Sequence, residues 1–175
     1  ASSSILQHFS ELKMQEEINS RAQLDLILKI RAEIENLNRS KKKSIVTQLL
    51  TFELDLATMK MSGYQLGEFQ ILSSNSEHGS EIGSYFDQDL ERAKFEYTLT
   101  KGERLLFNSP GFVKNWSTLS EKPDLSELLE NEDVKALDVL DEVFFKLKKD
   151  KSSGFLPQDA SAIILEVVDN VFLKV

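Results

Sequence analysis

At 175 residues the chain has room for one domain with a real core, and its formal net charge of −8 lacks the basic footprint that nucleic-acid phosphates or anionic membrane surfaces require. Basic protein partners suit that charge better. Cysteine is absent, which removes disulfides, thiolate nucleophiles and zinc ribbons together. With no apolar run near the roughly eighteen residues of a membrane span and no basic-then-apolar leader, neither a span nor a signal peptide is expected, and a soluble protein of the cytoplasm or an organelle interior is favoured.

From Ile5 to Ser62 the chain carries neither glycine nor proline, while apolar residues recur at helical spacing. Ser4 and Gln7 have the form of a capping box at its start. Ile18, Ala22, Leu26 and Ile30 make a stripe at four-residue steps; Ile45, Leu49, Phe52, Leu56 and Met59 repeat the scheme. A single helix of that length would span about 87 Å at 1.5 Å per residue, which a compact domain cannot hold. The expectation is therefore an antiparallel helical hairpin over 5–62, bending at Asn36 to Ser44, with Lys41 to Lys43 complementing a helix C-terminus. Polar Glu16, Ser20 and Gln23 break a coiled-coil register.

The next stretch, 63–84, is rich in serine and glycine and reads as a loop-rich connection. Ser84 and Asp87 again resemble a cap, and Phe86, Leu90, Ala93 and Tyr97 share one helical face. A rival exists over 95–107, where Phe95-Glu-Tyr-Thr-Leu alternates at period two and Lys101-Gly102 could turn into a returning strand, giving a small β-hairpin. Helix is the preferred reading, because two isolated strands are marginal.

Pro123-Asp124 opens a C-terminal helical part, with Asp124 and Glu127 in capping-box register. Val134, Leu137, Leu140, Phe144 and Leu147 form its stripe, acids crowd its start, and Lys146, Lys148 and Lys149 crowd its end, matching the helix dipole. After Gly154 and Pro157, the residues Ala160, Ile163, Ile164, Val167, Val168, Val171 and Phe172 predict a last helix running to Val175. The segment Lys146 to Ala160 resembles an EF-hand in its lysine-rich helix end, Gly154 at the loop's bend and Leu156 two positions later. Matching Gly154 to that family's loop glycine places Lys149, Lys151, Ser153 and Ala160 at four ligand positions that call for oxygen donors, so the resemblance implies a calcium-silent helix-loop-helix used for packing.

The search for chemistry is mostly negative. His8 and His78 lie far apart and outside any Glu-x-x-His or His-Glu-x-x-His pattern, so no metal site is expected. There is no phosphate-binding glycine loop, and Gly79 to Gly83 lacks the spacing of a nucleophile elbow. Asp138, Asp141 and Glu142 read as a solvated acidic face. Asn38-Arg39-Ser40 and Asn115-Trp116-Ser117 satisfy the loose glycosylation pattern of a secreted or effector-like protein.

The sequence therefore predicts one all-α domain over 1–175, a helical bundle made of the hairpin (5–62), the connection (63–84) and a C-terminal helical part (85–175) that ends in a helix pair. It predicts a non-catalytic interaction or assembly module without a cofactor, leaning away from an enzyme. Its protein partner, whether a second copy or another chain, would meet helix faces, with Arg39, Lys41, Lys42, Lys43, Trp116, Val171 and Phe172 as candidate contacts. The competing expectation is a small-molecule or cofactor-binding bundle, an enzyme among the options, with a pocket lined by Tyr85, Phe86, Phe95, Tyr97 and Trp116.

Overall fold

The computed structural model describes residues 20–41, 48–75, 90–121, 124–131, 133–149 and 156–168. Helix α1 (Ser20–Lys41) runs unbroken through Asn36 and Asn38, since no glycine or proline interrupts it and its apolar face is covered: Leu26, Ile27 and Ile30 are all buried. Ile27 packs with Tyr64 and Ala93. The expected bend at Asn36 does not occur within the helix, and among the described residues up to Ser62 no second helix returns. Leu49–Asp55 and Lys60–Leu66 instead form strands β1 and β2, an antiparallel pair that sets Phe52 opposite Gly63 and Leu54 opposite Met61.

Two periods coexist in this stretch. The helical set Leu49, Phe52, Leu56 and Met59 is interleaved with the alternating set Leu50, Phe52 and Leu54, and pairing with β2 selects the second. The turn is built without glycine or proline: Asp55 accepts the backbone N–H of Ala57 at 2.8 Å and of Thr58 at 3.3 Å, and the Thr58 hydroxyl at 2.7 Å. These bonds, the Thr58 hydroxyl foremost, hold the Asp55 carboxyl below its ordinary pKa. Met59 takes the left-handed conformation, with φ 54°. Gly63 has no substitute, because a Cβ there would fall 2.0 Å from the Thr51 carbonyl oxygen.

Strand β3 (Gln70–Ser73), a four-residue helix α2 (Leu90–Ala93), and strands β4 (Lys94–Thr98) and β5 (Arg104–Asn108) follow. Both arms of the suspected 95–107 hairpin are strands, yet they do not pair with each other. β4 joins β2 in a sheet ordered β1-β2-β4, and β5 is the centre of a second sheet, β3-β5-β6. The chain crosses from one sheet to the other through Thr98 to Glu103, turning at Gly102 with φ 78°. Leu105 and Phe107 point into a core between the sheets with Met61, Ile71, Phe95 and Leu99. Leu72 and Leu106, on the opposite face of the second sheet, meet a helical layer.

That layer comprises α3 (Pro110–Ser117), α4 (Leu125–Glu130) and α5 (Ala136–Lys149). Asp124 caps α4 by accepting the Ser126 N–H, and Phe112, Trp116, Leu129, Val139, Val143 and Leu147 bury the helices against the sheet. The fold is thus α/β, two three-stranded antiparallel sheets with helices, and the all-α bundle is corrected on that ground. The last predicted helix is corrected too. Ala162–Glu166 form strand β6, because Ile163 and Leu165 satisfy their backbone against β5 and β-branched side chains suit a pleated surface. With a strand after α5, no EF-hand-like helix-loop-helix forms. Among the described residues no helix is long and apolar enough to cross a membrane.

Candidate functional site

Two polar constructions stand out. The first joins the sheets where β4 lies over β3. Glu103, only 3 % exposed, accepts the Ser73 hydroxyl at 2.6 Å and the Tyr97 hydroxyl on one carboxylate oxygen. The other oxygen accepts the Thr100 N–H at 2.7 Å and the Thr100 hydroxyl at 3.0 Å. A buried carboxylate survives when donors fill its lone pairs in this way. Burial first, and then the hydrogen bond to Glu103, pushes the Tyr97 phenol up to about 12. Lys-Gly-Glu-Arg gives no hint of this role, since glutamate after a turn normally faces water.

The second construction is the corner where β5 runs into α3. Ser109 caps the helix, its hydroxyl accepting from the Phe112 N–H. The same hydroxyl accepts the Ser161 N–H at 2.9 Å, and the Ser109 N–H donates to the Ser161 carbonyl at 2.9 Å. Asn115 donates its side-chain amide to the Gln158 carbonyl at 2.7 Å. Gly111 lets the two segments touch: a Cβ on it would sit 1.9 Å from the Asp159 carbonyl oxygen. Beneath lies Asn108, fully buried, donating to Gln70 at 3.2 Å while its own amide oxygen has no partner among the described residues. Nearby in the same sheet, buried Arg104 grips Glu166 through two nitrogens, each at 2.7 Å, and donates to the Asn131 carbonyl at 2.8 Å.

The residues singled out from sequence are dispersed. Arg39 is exposed near the end of α1, where it pairs with Glu35 at 3.6 Å; Lys41 is the last residue of that helix. Lys42, Lys43, Val171 and Phe172 lie outside the described residues, as do Tyr85, Phe86, His8 and His78. Trp116 is buried in the helical layer, stacked on Phe112 at 5.6 Å. Phe95 belongs to the core between the sheets and Tyr97 to the carboxylate clasp, so Phe95, Tyr97 and Trp116, the described members of the aromatic set, do not line one pocket. Asn115 is 1 % exposed with its amide engaged, which takes it out of consideration as a glycan acceptor. Asp138 and Asp141 are exposed on α5, and Glu142 pairs with Lys146 at 2.8 Å.

The solved structures similar to this chain include a serine/threonine phosphatase and a phosphatase domain of the PP2C kind. The phosphatase domain of the cell fate determinant SpoIIE from Bacillus subtilis matches 90 % of this chain and 77 % of its own, with a TM-score of 0.59 and 13 % identity. The Mycobacterium tuberculosis phosphatase PstP/Ppp matches 95 % of this chain and 81 % of its own, with a TM-score of 0.65 and 10 % identity. PppA, a regulatory component of the type VI secretion system in Pseudomonas aeruginosa, matches 93 % and 77 %, with a TM-score of 0.64 and 12 % identity. No protein-family model matches the chain and no curated protein is similar to it. At these identities the likeness shows a shared fold. The expected helical assembly module gives way to it, because the chain folds as these enzyme domains do.

SpoIIE was also solved after a manganese soak, and PstP with two manganese ions; those ions belong to those proteins. In this chain no three histidine, cysteine, aspartate or glutamate side chains among the described residues converge to hold a metal ion. The buried carboxylate has both oxygens filled by donors, Glu166 is held by Arg104, and Asp55 and Asp124 are turned onto their own backbones. Asn108 offers one orphaned amide oxygen, which is not a hard-cation cage. The described residues do not fit a metal centre.

Proposed function

We propose that this chain is a phosphatase domain acting on phosphoserine or phosphothreonine in proteins. The observation that supports it is the fold: two sheets and their helical layer superpose on serine/threonine phosphatase domains over 90–95 % of this chain. The net charge of −8 favours phosphosites set among basic residues, where the substrate's own cations offset the repulsion between phosphate and protein. The described side chains contribute the scaffold to this reading: the Glu103 clasp locks the sheets together, and the Ser109 to Asn115 corner fixes the β5–α3 junction.

The test is orthophosphate release from phosphoserine and phosphothreonine peptides with basic flanks, with manganese or magnesium added or chelated. Release above the enzyme-free blank is expected. No release above the enzyme-free blank with either metal overturns the reading.

A further inference from the structure

We draw no further inference here: the strongest candidate, the outer face of α5 where exposed Leu137 and Phe145 flank Asp141, carries nothing, because nothing in the structure shows what covers it.

Discussion

The two sides of the sandwich are closed by different means. Where β4 lies over β3, one buried carboxylate gathers donors from three elements: Ser73 on β3, Tyr97 on β4, and Thr100 in the crossing. Where β1 lies over β5, the contact is apolar, a Phe52–Phe107 stack with an interplanar angle of 8°, and beyond it Ile163 meets solvent. The polar side is sensitive to a missing member, since Ser73 and Glu103 are buried away from water. The apolar side is graded, because an exposed side chain there has little burial left to lose.

The largest effect is expected at the clasp. Glu103→Ala takes the acceptor from the buried Ser73 hydroxyl and the half-buried Tyr97 hydroxyl, and should lower stability by about 2 kcal/mol, measured as the urea midpoint with an unchanged slope. Glu103→Gln, which keeps the volume, should cost less. If the two variants unfold alike, the carboxylate is not what joins the sheets.

Next comes Tyr97→Phe, which removes one charge-assisted hydrogen bond at about 1.5 kcal/mol. It also tests a pH window. The Tyr97 phenol is raised to about 12 from 10.0, so the folded state holds its proton more tightly than the unfolded chain does. That contribution is fully present below pH 10 and is lost as pH climbs towards 12, because the unfolded state then releases the proton first. Stability measured between these limits should fall in the native protein and fall less in Tyr97→Phe.

On the apolar side Phe52→Ala should cost about 1 kcal/mol, the worth of a ring stack at a part-exposed position. Ile163→Ser should change stability by no more than about 0.5 kcal/mol. A large loss in thermal midpoint at Ile163 would mean that this side is already closed in solution.

What could be read along the chain was local. Helix α5 was legible in the Leu140, Phe144 and Leu147 spacing and in its graded charge, and the Asp124 cap was legible in its side chain and position. Helix α1 was legible as helix, though not as a helix that packs on strand β2 and the short helix α2. The strand character of 95–107 was visible in its alternation, while its pairing was not, since the two strands belong to different sheets. Nothing in Glu103, Ser73 or Thr100 marks a clasp, because their neighbours are 24 to 30 positions apart in the chain for Ser73.

Composition and spacing by themselves determined that apolar faces exist, that 20–41 and 136–149 are helical, and that cysteine chemistry is excluded. Tertiary structure alone decided which of two overlapping periods prevailed over 49–66 and 162–166, since an apolar run that fits either a helix or a strand is settled by what covers it and by which partner takes its backbone hydrogen bonds. Here that partner is another strand, and for that reason a chain that reads as helices folds around two sheets.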